Sequence, residues 1–117
     1  VPKRHNHEDL LQINVVRHLR DRFPGRVFYA SVNQKGTRSN GEQIKLHDMG
    51  LLAGVPDLEL MLGDGRVGYI ELKYGRGRQT KAQKAFEAYC KANGYPYALC
   101  HDQQQAVEAA ENMWREA

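Results

Sequence analysis

The sequence predicts a single α/β domain over residues 1–117, with a central mixed sheet flanked by helices and the element order α-β-β-β-α-β-α. Three observations lead there. Apolar residues recur at helical spacing near both ends of the chain and after residue 80, while residues 57–62 and 70–73 alternate with the period of a strand. Two of the strand-like runs are joined by a tight Gly/Asp connection, which favours an antiparallel pair. A length of 117 residues supports one hydrophobic core and is short for two.

The elements follow in order. Asn6 and Asp9 form a helix-start pair, and Leu11, Val15, Val16, Leu19 and Phe23 line one helical face until Pro24 and Gly25 stop it. Val27 to Val32 is rich in branched and aromatic residues and reads as a strand. A polar stretch from Asn33 to Gly41 follows, and residues Glu42 to Met49 allow a short helix. Leu58, Leu60 and Leu62 alternate with Asp57, Glu59 and Met61, as Ile70 and Leu72 do with Glu71 and Lys73. Gly63-Asp64-Gly65-Arg66 between them suits a hairpin turn. Thr80 and Gln83 have capping-box spacing, ahead of a helix with Ala82, Ala85, Phe86, Tyr89 and Cys90 on one face. Asn93-Gly94 ends it, Tyr95 to Cys100 is the last strand, and Asp102 with Gln105 opens a helix carrying Ala106, Val107, Ala110, Met113 and Trp114 on one side. Trp114 and the tyrosines are expected in the core.

Composition excludes several classes. No apolar run approaches membrane-spanning length, and no secretory or lipid-anchor signal is visible, so a cytoplasmic protein without membrane contact is expected. Cys90 and Cys100 have neither metal-ligand spacing nor a dense disulfide pattern, which fits a reducing compartment. His47 and His101 with the cysteines form no zinc spacing, His5 and His7 lack a nearby third ligand, and no serine or cysteine nucleophile is framed by a base.

The chemistry concentrates in two segments, Gly54-Val55-Pro56-Asp57 and Ile70-Glu71-Leu72-Lys73. In an antiparallel hairpin Asp57 enters near the level where Glu71 and Lys73 leave, and Glu71 and Lys73 share a face. Pro56 suits the first position of a strand, where its missing N–H costs no ladder bond. Two neighbouring carboxylates repel unless a cation lies between them, and the expected partner is a hard divalent ion with oxygen ligands, Mg²⁺ or Mn²⁺. Such an ion neutralises charge building on a phosphate, while the lysine orients the nucleophile, so the trio suits phosphodiester hydrolysis. Taken singly, Glu-x-Lys also fits a solvated strand face and Pro-Asp a plain turn.

The net charge of +3 is modest, and its distribution matters more. Lys73, Arg76, Arg78, Lys81 and Lys84 crowd the segment just after Glu71, interrupted by Gly75 and Gly77, which predict a mobile, low-bulk loop able to follow a phosphate backbone. Lys35, Arg38 and Lys45 make a second basic group before Asp57. The alternative for both is a solvated surface. Tyr74, next to Lys73, is the tyrosine that could touch DNA, though packing is the better explanation.

These segments resemble the PD-(D/E)xK nuclease superfamily and, within it, the VRR-NUC (virus-type replication-repair nuclease) family, in particular its small phage-type stand-alone members. The likeness runs from about Glu8 to Val107. It includes Val32-Asn33, Lys35 to Arg38, Lys45-Leu46, the run Met49 to Leu58, and Gly77 to Gln83 as a basic loop leading to a glutamine-bearing helix. The connection from Val32 to Gly54 is longer than in the most compact members. The resemblance implies a restriction-endonuclease-like fold and a metal-dependent endonuclease acting on branched DNA, with Asp57, Glu71 and Lys73 carrying catalysis. It implies that Glu8 reaches the metal site from the first helix, although an acid in a first turn also stabilises a helix by up to about 1 kcal/mol. Gln83 matches the glutamine after the basic loop, a position that capping explains as well. Asp57, Glu71, the backbone carbonyl of Leu72 and Glu8 are expected to hold the ion, with Lys73 orienting the attacking water. The products implied are a 5′-phosphate and a 3′-hydroxyl. Asn33 is expected near DNA with Lys35, Arg38, Lys45, Arg76, Arg78, Lys81 and Lys84. Small stand-alone members resemble dimers suited to Holliday junctions, so a homodimeric four-way junction resolvase is expected. The alternatives are a flap or nicking nuclease of the same chemistry and a non-catalytic DNA-binding accessory module.

Overall fold

The computed structural model describes residues 6–31 and 39–117. Among these residues eight elements follow one another: α1 (His7–Arg22), β1 (Phe28–Ala30), α2 (Asn40–Asp48), β2 (Leu58–Met61), β3 (Val67–Leu72), α3 (Lys81–Asn93), β4 (Tyr97–Cys100) and α4 (Gln103–Glu116). The short helix allowed over Glu42 to Met49 is present as α2, between the first two strands. Ser39 starts it, its side chain accepting from the Glu42 N–H, and the helix buries no residue. A cap without an apolar face is a weak helix signal in a sequence, since most helical stability comes from packing.

The four strands form one sheet in the order β1-β2-β3-β4. The first two pairings are antiparallel and β3–β4 is parallel, so the sheet is mixed. The β2–β3 hairpin has the expected turn: Asp64 accepts from the Arg66 backbone N–H at 3.0 Å and from its Nε at 2.7 Å. The Arg66 guanidinium holds the Asp64 carboxyl below its ordinary range, chiefly through that side-chain hydrogen bond. Register pairs Leu58 with Ile70 and Glu59 with Tyr69. One step beyond the first pair, Asp57 therefore comes level with Glu71.

Period-2 alternation sorts the two faces of the sheet. Leu58, Leu60, Ile70 and Leu72 are fully buried and meet Val15 and Leu19 of α1 with Ala106, Val107, Ala110 and Trp114 of α4. Each of these large side chains gives roughly 1.5–3 kcal/mol when fully buried, which holds the two helices on this face. Trp114 satisfies its indole N–H on the Met61 carbonyl at 3.0 Å. The opposite face carries Tyr69, whose ring meets Phe86 of α3 edge-on at 5.0 Å, and it carries the carboxylates.

Several sequence expectations need correction here. The expected apolar face of α3 is only partly covered: Cys90 is buried, but Ala85 and Tyr89 are exposed. Tyr29, Tyr74, Tyr89 and Tyr95 are all exposed rather than core. Amphipathic rings tolerate this because one edge stays wet, and α3 rests on the β3–β4 half of its face only. Of the expected Val27 to Val32 run, Phe28–Ala30 form the strand and Val32 lies outside the described residues, while the last strand begins at Tyr97.

Cys90 and Cys100 are free thiols, and both are buried. Burial pushes the Cys100 thiol up to about 11, Asp102 adding to the effect, and burial likewise raises Cys90. Because the thiolate is the nucleophile, neither should alkylate with iodoacetamide at pH 8 on the timescale that labels both in denaturant. Mass spectrometry reads this directly, and one fast-reacting thiol in the folded protein would contradict the burial. Among the described residues no helix is long and apolar enough to cross a membrane.

Candidate metal centre

Three elements bring carboxylates to one place. Glu8 lies in the first turn of α1, Asp57 immediately precedes β2, and Glu71 is the penultimate residue of β3. One oxygen from each of Glu8, Asp57 and Glu71 lies within 4.8 Å of the others. Glu8 and Asp57 are half-buried and Glu71 is 1% exposed. At that separation each like-charged pair repels by roughly 3 kcal/mol at an effective dielectric near 20. The fold therefore holds an arrangement that a cation relieves. An all-carboxylate donor set is hard, with no sulfur or imidazole, and fits Mg²⁺, Mn²⁺ or Ca²⁺ rather than zinc.

The backbone around Asp57 is clamped. Its Oδ2 accepts from the Leu72 N–H at 2.8 Å, which ties the aspartate directly to the strand carrying Glu71. Its carbonyl accepts from the Ser31 N–H at 3.0 Å, and the Ser31 hydroxyl donates to the Pro56 carbonyl. Pro56 is fully buried. Gly54 supports the same segment. Its φ is +89°, and a Cβ there would come within 2.5 Å of the Ala82 carbonyl carbon and 2.8 Å of the Gln83 nitrogen. The Gly54 turn thus presses on the first turn of α3. Gly54→Ala is expected to cost about 2 kcal/mol or more, combining a left-handed backbone with a clash against backbone atoms. Urea unfolding would read it as a lower midpoint, whereas a wild-type midpoint would mean that the turn and the helix part without cost.

Gln83 fills both roles that its position suggested. Its Oε1 accepts from the Thr80 N–H at 2.7 Å while the Thr80 hydroxyl accepts from the Gln83 N–H, completing the capping box. Its Nε2 donates to Glu71 Oε1 at 3.3 Å. Lys73 lies just past β3, its Nζ 4.0 Å from the same Glu71 oxygen and its side chain only 12% exposed. The Lys73 N–H donates to the Cys100 carbonyl at 3.0 Å, and its own carbonyl accepts from His101 Nδ1 at 3.2 Å. The parallel strand β4 and the residue after it thus fix the lysine's backbone at both its N–H and its carbonyl.

The basic loop after Lys73 begins with a turn. Gly75 has φ +59° and the Gly77 N–H donates to the Tyr74 carbonyl at 3.1 Å, closing a turn. Further on, Gln79 Nε2 donates to the Tyr97 hydroxyl at 3.0 Å. Burial pushes the Tyr97 pKa up against that hydrogen bond, so the phenol stays protonated. Tyr74 stacks on His7 with ring centroids 4.6 Å apart. Arg76, Arg78, Lys81 and Lys84 are exposed, open to a ligand, and Lys45 is exposed on α2. Asn33, Lys35 and Arg38 lie outside the described residues.

The roles of Ser31, Gly54 and His101 in holding the site's backbone were not read from the sequence. Only Gly54 carried a signal, since a glycine before Val-Pro-Asp marks a backbone turn. Ser31 and His101 act through backbone groups of residues distant in the chain, which no local spacing encodes.

No family model and no curated protein sequence matches the chain. A solved structure described as a "VRR_NUC domain protein" superposes with a TM-score of 0.75 at 24% sequence identity, over 97% of this chain and 92% of that one. The chain therefore has the fold of that protein over nearly its whole length, the fold that the sequence resemblance implied.

Proposed function

We propose that the chain is a metal-dependent endonuclease that hydrolyses phosphodiester bonds in branched DNA, with Asp57, Glu71 and Lys73 as its catalytic residues. The observation that carries this reading is the convergence of Glu8, Asp57 and Glu71 within 4.8 Å, with the Lys73 ammonium 4.0 Å from Glu71, on the fold of a VRR_NUC domain protein.

Asp57, Glu71 and Glu8 would hold Mg²⁺ or Mn²⁺ through their carboxylates. Leu72 would add its carbonyl: in extended backbone the N–H and C=O of one residue leave on the same side, and the Leu72 N–H points to Asp57. Such an ion supplies a Lewis acid for the phosphate and lowers the pKa of water. Lys73 donates to the attacking water or to a non-bridging phosphate oxygen, held in place by a backbone that β4 and His101 fix. Gln83 keeps Glu71 in one rotamer and so preserves the donor geometry. The products expected are a 5′-phosphate and a 3′-hydroxyl.

Arg76, Arg78, Lys81 and Lys84 would meet phosphates beside the site, and Asn33, Lys35, Arg38 and Lys45 are proposed to add further phosphate contacts. Removing one phosphate-neutralising side chain from a duplex complex should flatten the dependence of log affinity on log salt by about 0.9. Arg76→Ala with Arg78→Ala is therefore expected to lower that slope by about 1.8, and an unchanged slope would remove the loop from the interface.

One such domain cuts one strand at a time. Symmetric incision of a four-way junction then needs a second copy related by a two-fold axis. The exposed Leu52, Tyr89 and Tyr95, at 56%, 64% and 39%, border an apolar groove that supports such a pairing. The homodimeric junction resolvase is thus the favoured form of the activity, and a flap or nicking nuclease is its alternative. Cleavage of four-way junction, 5′ flap, splayed arm, nicked duplex and single strand tests this. Paired symmetric cuts confined to the junction support the resolvase, cuts mainly on flaps replace it, and binding without any cutting returns the accessory module.

A further inference from the structure

A cavity of about 870 Å³ opens from Asp57 and runs along the side of α1 to Arg17 and Arg20. Its charge is graded. Carboxylates, including Asp9, stand at the metal end, and the two guanidiniums stand at the far end. Between them Ile13, Val16 and Val55 give the cavity an apolar middle. Asp9 to Arg20 is eleven residues, about 16 Å of helix at 1.5 Å per residue, enough for roughly five nucleotides at the duplex rise of about 3.4 Å and fewer when the strand is stretched.

Arg17 and Arg20 are exposed, and neither has an ion-pair partner among the described residues. Arg22, close by in sequence, is by contrast bound to Glu111 at 3.0 Å. Helix-dipole placement accounts for a base in the last turn such as Arg20, but Arg17 lies a turn earlier and gains little from it. A ligand suited to this groove is anionic at one end, apolar in its middle, and placed with a phosphate at the metal end. Paired DNA hides its base faces within its own stack and offers an apolar wall little. An unpaired strand exposes base faces and sugar edges together with its phosphates.

We infer that the groove along α1 holds an unpaired arm of the DNA, with Arg17 and Arg20 gripping its phosphates and the apolar middle meeting its bases and sugars, so that the junction between paired and unpaired DNA is set over Asp57. This rests on the nuclease reading in its flap form, the alternative named above, because a four-way junction has no unpaired arm, but binding tests it separately. The occupant is single-stranded DNA continuous with the strand at the metal centre.

The test uses the full chain and two fluorescein-labelled probes: a duplex bearing a short oligothymidylate arm and the same nicked duplex without the arm. Anisotropy in Ca²⁺ reads binding, and a parallel series in Mg²⁺ reads cleavage. R17E/R20E, with R17Q/R20Q as the milder pair, is expected to bind the armed probe at least about tenfold more weakly. Its salt slope should be shallower by about 1.4, two phosphates at about 0.7 each on a single strand. The armless probe should be bound and cut as by wild type, and R115E, a charge change at an exposed position of α4, should behave as wild type on both. Wild-type binding of the armed probe by both double variants overturns the inference while leaving the nuclease intact. Equal losses on the armed and armless probes, or the same loss in R115E, also overturn it, since these mark general electrostatics. If wild type cuts neither probe yet binds the armed one through Arg17 and Arg20, the flap form of the nuclease reading falls and the groove stands.

Discussion

Lys73→Ala protein is expected to bind branched DNA normally and to cut it roughly 10²–10³-fold more slowly, the usual loss when one preorganised donor to a developing oxyanion is removed. The reasoning lies in how the ammonium is held. Strand β4 and His101 fix the lysine's backbone, and the side chain is 12% exposed with Nζ 4.0 Å from Glu71. Lys73→Arg should rescue little, because a planar fork does not reproduce a compact donor in that space. Removing the cation also leaves the carboxylates more repulsive, so the variant should bind Mn²⁺ at least as tightly as wild type. Single-turnover cleavage with a parallel metal titration separates these outcomes. Loss of metal affinity alongside loss of cutting would instead make Lys73 part of the scaffold of the site.

Divalent metal is expected to stabilise the folded chain markedly. A ligand that binds only the native state at about 100 times its Kd contributes about 2.7 kcal/mol, which for a chain of this size raises the melting temperature by roughly 10 °C. The source is relief of the Glu8, Asp57 and Glu71 repulsion. Glu71→Gln should therefore melt higher than wild type in EDTA, since it removes one buried like charge. It should gain little from Mn²⁺. Asp57→Asn should behave similarly, although Oδ must still accept from the Leu72 N–H. Scanning calorimetry with and without metal checks both. A wild-type protein indifferent to Mg²⁺, Mn²⁺ and Ca²⁺ would mean that the cluster is a strained acidic patch and not a metal site.

Much of this was legible in the chain because its signals are local. Period-2 alternation around Asp57 and Glu71, the Gly63 to Arg66 turn and the caps at Asn6, Thr80 and Asp102 each depend on neighbours in sequence, and each appears in the structure as expected. The convergence of Asp57 with Glu71 also follows from register alone. Failures occurred where distant packing decides. The tyrosines could not be sorted into core and surface, because that depends on α3 covering only half of its sheet face. Helix α2, allowed by the sequence over Glu42 to Met49, is present at Asn40–Asp48 although it has a cap and no apolar stripe. Ser31 and His101 secure the site through carbonyls of Pro56 and Lys73, bonds that exist only once β1 and β4 have joined the sheet.

The three carboxylates and Lys73 together make a metal-dependent phosphodiesterase on this account. The measurement that tests it most directly is single-turnover cleavage of an end-labelled four-way junction by wild-type protein in EDTA, Mg²⁺ and Ca²⁺, at one protein concentration that saturates binding. Cutting in Mg²⁺ alone, with intact bound DNA in Ca²⁺ and EDTA, is the predicted result. Equal cutting in EDTA, or saturated binding with no cutting in Mg²⁺, would contradict it.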